Sequence, residues 1–253
     1  MKRLKALSIV LVIMLFVVGC SSGNTSESKV LKVGTEPTFP PFEYMDETTG
    51  KIDGFDIALI TAMAEKAGYT VEIMNVGFDG LVPALQSGNI NIIASGMSIT
   101  PERAESVTFT DPYIDAGLII AVKADNKNIN GEADLSGKIA AVQIGTTGAD
   151  KANELKNAGL LKEVKTYNTI DVAFLDLANG AVDCVINDAP VTEAYISKNA
   201  NKIKTVGDVL VSDQYGFAVA KEATDLAAKL NVALKQLKED GTFDKFVAEY
   251  FGS

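Results

Sequence analysis

A segment in the first half of this chain is repeated in the second, and the repeat limits the folds available to it. Leu85-x-x-Gly88-x-x-Asn91 is matched by Leu177-x-x-Gly180-x-x-Asp183, and seven residues after each glycine an apolar strand pattern ends, at Ser95 and at Asn187. A second echo precedes each copy. A strand pattern runs into Gly-Thr at Gly34-Thr35 and again at Gly145-Thr146. Two echoes in the same order point to two similar lobes.

The elements around the echoes alternate. Val30 to Thr35 reads as a strand. Gly54 to Gly68 carries Ile57, Ile60 and Ala64 at helical spacing and stops at a glycine, as helices do. Val71 to Val76 is a strand, Leu81 to Gln86 a short helix, and Ile90 to Ala94 a buried strand. The second half repeats this with strands at Lys138–Gln143, Val164–Tyr167 and Val182–Ile186, and helices at Thr147–Ala158 and Asp171–Ala178. Such alternation predicts α/β layers around parallel sheets. Ligands of such sheets bind beyond the carboxyl ends of the strands, so the echoed strands aim their last residues at one cleft between the lobes. The tail reads as a strand, Gln214–Ala220, and two helices, Thr224–Asp240 and Phe243–Phe251. If it returns to the first lobe, lobe 1 comprises residues 29–115 with 216–253 and lobe 2 residues 116–215. The chain then crosses twice, near 113–121 and near 209–218. A double crossing is a hinge, and hinges close around ligands.

The first 19 residues read as a signal peptide. Lys2, Arg3 and Lys5 precede an apolar run, Leu7 to Val18, too short for a confident membrane span. Val17-Val18-Gly19-Cys20 resembles the lipobox of bacterial lipoproteins, which implies cleavage before Cys20 and a lipid on its thiol. The alternative is an ordinary secretory peptide with an incidental cysteine. Residues 20–28 are Ser/Gly/Asn/Thr/Glu-rich, a flexible tether. The expected product is lipid-anchored on the extracytoplasmic face of the cell membrane.

Composition narrows the chemistry. The chain has no His, the commonest general base and transition-metal ligand, and neither a metal nor another cofactor is expected. Its only cysteines are Cys20 and Cys184; Cys184 lies in an apolar run and reads as a small buried hydrophobe. The formal charge of −10 becomes −13 once the three signal-peptide cations are removed, a poor match for nucleic acid.

Several blocks carry a specific resemblance. They are Gly34-Thr35-Glu36-Pro37-Thr38-Phe39-Pro40-Pro41-Phe42-Glu43-Tyr44, Gly54-Phe55-Asp56-Ile57, Phe78-Asp79-Gly80-Leu81-Val82-Pro83-Ala84-Leu85, Ser95-Gly96-Met97-Ser98-Ile99-Thr100-Pro101-Glu102-Arg103 and Phe109-Thr110-Asp111-Pro112-Tyr113, then Gln143-Ile144-Gly145-Thr146-Thr147-Gly148 and Asn187-Asp188-Ala189-Pro190. In this order they resemble the polar amino acid solute-binding proteins of ABC importers, the bacterial extracellular solute-binding family 3. Asn91 and Ala58 depart from the family's usual aspartates. The resemblance implies a type II periplasmic-binding fold, a monomer that binds without catalysing, and partners in an ABC permease and ATPase.

The residues fit that chemistry. Arg103 suits a ligand carboxylate through charge-assisted, bidentate bonds; otherwise it is a solvated arginine. Thr146 and Thr147 precede a helix, where N–H groups and hydroxyls can meet the same carboxylate or cap the helix. Asp188, with the Gly96 carbonyl and Ser98 hydroxyl, suits an ammonium, and Ser95 joins this group through the resemblance. Asp188 before Ala-Pro is otherwise turn chemistry. Glu36, Phe39, Phe78 and Gln143 are expected to read the ligand side chain, the two rings by sandwiching it or else as plain core. An acid at 36 favours arginine, lysine, histidine or glutamine and repels glutamate and aspartate. A cyclohexadienyl-dehydratase-like enzyme is the alternative on the same fold. Transglycosylase and sensor readings would need a catalytic domain or membrane segments that the sequence does not show.

Overall fold

A computed structural model describes residues 29–199 and 201–252. Cys20 and the tether lie outside the described residues.

In chain order the strands are β1 (Lys29–Thr35), β2 (Thr38–Phe39), β3 (Glu43–Met45), β4 (Ile52–Asp53), β5 (Tyr69–Asn75), β6 (Ile92–Ile93), β7 (Val107–Phe109), β8 (Ile114–Lys123), β9 (Lys138–Gln143), β10 (Leu161–Tyr167), β11 (Cys184–Asp188), β12 (Ile203–Tyr215) and β13 (Ala218–Ala220). The helices are α1 (Phe55–Lys66), α2 (Leu81–Gln86), α3 (Pro101–Ser106), α4 (Thr147–Asn157), α5 (Ile170–Asn179), α6 (Ala189–Lys198), α7 (Thr224–Glu239) and α8 (Thr242–Phe251).

Two five-stranded sheets form, in orders β5-β1-β6-β13-β7 and β10-β9-β11-β8-β12, and β2, β3 and β4 make a small third sheet. The two orders are the same topology. In each sheet the first three strands are parallel and the fourth runs antiparallel to its neighbours. The fourth strand is the exchanged one. Lobe 1 ends its first pass at β7 and sends the chain on as β8, the fourth strand of lobe 2. Lobe 2 ends at β12 and returns it as β13, the fourth strand of lobe 1.

The crossings run side by side. Tyr113 N–H donates to the Tyr215 carbonyl (3.0 Å) and Thr110 N–H to the Phe217 carbonyl (2.8 Å). The expected continuous strand Gln214–Ala220 is therefore broken at Gly216 and Phe217. There Gly216 N–H turns to the Met97 carbonyl (3.2 Å) and Phe217 N–H to Thr110 Oγ1 (3.0 Å) as the chain changes sheets. An aromatic cluster anchors the crossings. Tyr113 stacks on Phe217 (4.6 Å between centroids), and Tyr215 meets Phe42 edge-on (5.0 Å). Contacts of this kind add about 0.5–1.5 kcal/mol each beyond area burial.

The echoed residues do equivalent work. Asn91 Oδ1 accepts from Lys32 N–H on β1 (2.9 Å), and Asp183 Oδ2 from Ile139 N–H on β9 (2.8 Å). Each side chain extends the parallel pairing by one bond ahead of the short third strand. Gly180 closes α5 in the left-handed conformation (φ 76°), where only glycine is unstrained. Cys184 is fully buried, and burial pushes its thiol up to about 12, as expected of a small hydrophobe.

Candidate functional site

The carboxyl ends of the parallel strands of both sheets converge. Glu36 follows β1, Phe78 follows β5, and Ser95 and Gly96 follow β6. From lobe 2 come Gln143, the last residue of β9, and Asp188, the last of β11. All six residues are buried.

Glu36 joins the lobes. Its Oε2 accepts from Thr38 Oγ1 (2.7 Å) in lobe 1 and from Gln143 Nε2 (3.0 Å) in lobe 2. Gln143 Nε2 also donates to the Asn168 carbonyl (3.1 Å), while its Oε1 is buried without a hydrogen-bond partner. Burial raises the Glu36 carboxyl above the usual range, and the bonds from Thr38 and Gln143 hold it back.

Arg103 sits on α3, whose first turn is fixed by Thr100 at the N-cap, Oγ1 accepting from Arg103 N–H, and by Pro101. The guanidinium lies over the Phe78 ring, 5.5 Å from its centroid. Nη1 donates to the Ser98 carbonyl (2.9 Å) and Nη2 crosses to the Gly145 carbonyl (3.0 Å) in lobe 2. Burial lowers its pKa, and Asp188, Asp150 and Asp213 oppose that loss. Asp188 is buried at the N-cap of α6, with Oδ1 unpartnered. Burial raises its carboxyl to about 7, against the opposing pull of the Tyr215 phenol and Arg103. The Tyr215 hydroxyl is fully buried beside this carboxyl, and burial together with that charge holds the phenol well above its ordinary range. A cation from lobe 1 and a carboxyl from lobe 2 thus lie within electrostatic reach of each other where the lobes meet.

The remaining predicted residues have mixed surroundings. Thr146 caps α4: Oγ1 accepts from Ala149 N–H (3.1 Å) and donates to the Gln143 carbonyl (2.8 Å), so its hydroxyl is occupied by the helix. Thr147 begins the same helix and is half-buried. Ser98 bridges to Tyr215 beside the crossing. Phe39 covers Gly96, where an added Cβ would sit 2.8 Å from the ring and φ is +48°; glycine is required on both counts. Phe39 and Phe78 serve different neighbours, Gly96 and Arg103.

A supporting layer escapes the sequence reading. Asp56, in the first turn of α1, accepts from Gly96 N–H (2.9 Å) and from Tyr113 O–H (2.7 Å). Ser95 Oγ accepts from Glu36 N–H (3.0 Å) and donates to Glu43 Oε1 (3.1 Å). Glu43 and Asp56 are fully buried neighbours. Burial and the Asp56 charge hold Glu43 well above the usual range, and burial lifts Asp56 to about 7. The available signal was polar residues interrupting apolar blocks, Glu43 after Phe42 and Asp56 after Phe55.

The family model for bacterial extracellular solute-binding proteins, family 3, matches residues 31–253. The chain belongs to this family. The probable amino-acid-binding protein YxeM of Bacillus subtilis is 37% identical over 237 residues, covering 92% of this chain and 89% of that protein. An ancestral arginine-binding protein bound to arginine superposes with a TM-score of 0.84 at 44% identity, covering 88% of this chain and 98% of the other. An ancestral arginine-binding protein bound to glutamine gives 0.82 at 43%, with the same coverage.

Proposed function

We propose that this protein captures a free polar amino acid outside the cytoplasm by hinge closure and delivers it to an ABC importer. The carrying observation is the charge pair across the cleft. Arg103 from lobe 1 suits the ligand carboxylate, and Asp188 from lobe 2 suits the ammonium. One ligand then touches both lobes, which gives the closed state the differential affinity that closure requires. Ser95, Gly96 and Ser98 line the ammonium side, and Thr146 and Thr147 present the α4 N-terminus to the carboxylate. Glu36, Phe39, Phe78 and Gln143 face the distal group. The buried Glu36 acid favours arginine, lysine, histidine or glutamine, in keeping with structural relatives bound to arginine and to glutamine. The protein acts as a monomer without catalysis, and its lobes divide near residues 115 and 216. Cys20 carries the lipid that keeps the protein at the membrane near its permease.

The test is thermal unfolding of the tether-deleted protein against the twenty amino acids. Binding at a hundredfold excess over Kd adds about 2.7 kcal/mol, a clear rise in Tm for the few true ligands. Arg103→Ala should abolish that rise while the free protein still unfolds cooperatively. A rise retained in Arg103→Ala would remove Arg103 from the site.

A further inference from the structure

Among the described residues, three side-chain hydrogen bonds span the lobes away from the crossings. Two are made by Arg103 and Gln143. The third comes from a residue with no assigned role: Tyr195, on α6 of lobe 2, donates its hydroxyl to the Thr38 carbonyl beside lobe 1 (2.9 Å). We propose that Tyr195 is a closure latch, a positioning residue that holds the lobes shut without touching the ligand, and this rests on the binding function proposed above.

The geometry is specific. The Tyr195 ring is stacked on Phe174 of α5, 4.4 Å between centroids and 21° between planes, so lobe 2 fixes its direction before any cross-lobe bond forms. Thr38, the acceptor, is the first residue of β2, followed directly by Phe39, whose ring covers Gly96. Thr38 also donates N–H to the Glu36 carbonyl (2.9 Å) and Oγ1 to Glu36 Oε2 (2.7 Å). Tyr195 therefore grips the strip of lobe 1 that carries Glu36 and Phe39. Burial holds the phenol above its ordinary pKa, with Asp171 and Glu36 adding to the shift, so it remains a donor at neutral pH. The other titratable side chains of α6, Glu193 and Lys198, are both exposed.

A bond made only in the closed state shifts the open–closed equilibrium toward closure whichever ligand is bound. It leaves encounter with the open form unchanged and slows release. One hydrogen bond of ordinary net strength corresponds to roughly a threefold to tenfold change.

The test is Tyr195→Phe, which keeps the ring stack and removes only the donor. Stopped-flow kinetics with arginine and with glutamine should show the dissociation rate raised threefold to tenfold, by the same factor for each ligand that binds, with the association rate unchanged. The Tm of the ligand-free variant checks that the fold is intact. Wild-type release rates in Tyr195→Phe, a slowed association, or a factor that differs between ligands would overturn the latch while leaving amino acid binding standing. A wild-type protein that binds none of arginine, lysine, histidine and glutamine would refute the binding function, and the latch with it.

Discussion

Burial moves the Asp188 carboxyl to about 7, from 3.8 for an ordinary aspartate. The folded chain therefore holds a proton there that the unfolded chain releases above about pH 4. The stability it contributes is present below pH 4 and is lost as pH rises through 7, on the order of a few kcal/mol for a shift of this size. Ligand-free Asp188→Asn should match wild type near pH 4 and exceed it at pH 8 in denaturant unfolding. An ammonium ligand needs the ionised form, so affinity should fall below pH 7 and binding near neutrality should release a proton. Calorimetry in two buffers of different ionisation enthalpy measures that release, and Asp188→Asn should lose both the proton and the binding. The placement of Asp188, Glu36 and Gln143 at strand ends and of Arg103 early in a helix was legible because apolar runs and glycines mark those boundaries in the sequence. Asp56 and Glu43 were not. Their partners, Gly96 and Ser95, lie 40 and 52 residues away, and only the folded sheet brings them together.

The repeated elements were readable because each carries its own local signals: an apolar run, a helical spacing and a closing glycine. The structure adds what the echoed polar position does, since Asn91 and Asp183 each bind the neighbouring strand's backbone. Asn91→Ala and Asp183→Ala should each cost about 0.5–1.5 kcal/mol of unfolding free energy. Gly148, in the first turn of α4, lets that helix approach β11, and an added Cβ would sit 2.7 Å from the Ile186 carbonyl. Gly148→Ala should cost about 1–3 kcal/mol by forcing the helix outward, measurable by denaturant unfolding. Several elements were missed in whole or in part. Helix α6 begins directly after Asp188 with Pro190 in its first turn, where Asp188 before Ala-Pro left turn chemistry as the alternative to a ligand role. The long strand β12 was read only in its last residues, because most of it is exposed and polar with a register shift between Val206 and Val211. The small β2-β3-β4 sheet is too short for any periodicity to register.

At the scale of the whole molecule, two lobes share one topology by exchanging their fourth strands, and the crossings at 110–113 and 215–217 run side by side. In the proposed binding mode these crossings are the hinge, and the opposite charges of Arg103 and Asp188 let a zwitterionic ligand bridge the lobes. Small-angle scattering should show the protein becoming more compact on binding, and Tyr195→Phe should reach the same compact form while releasing its ligand faster. Glu36→Gln should weaken a cationic ligand far more than glutamine, because only the cation gains from the acid. Titration calorimetry of the tether-deleted protein with arginine, lysine, histidine and glutamine, and with glutamate as the control, tests the central claim most directly. Saturable one-to-one binding of at least one of the first four, and none of glutamate, is expected. Binding of none of the four, or a preference for glutamate, would contradict it.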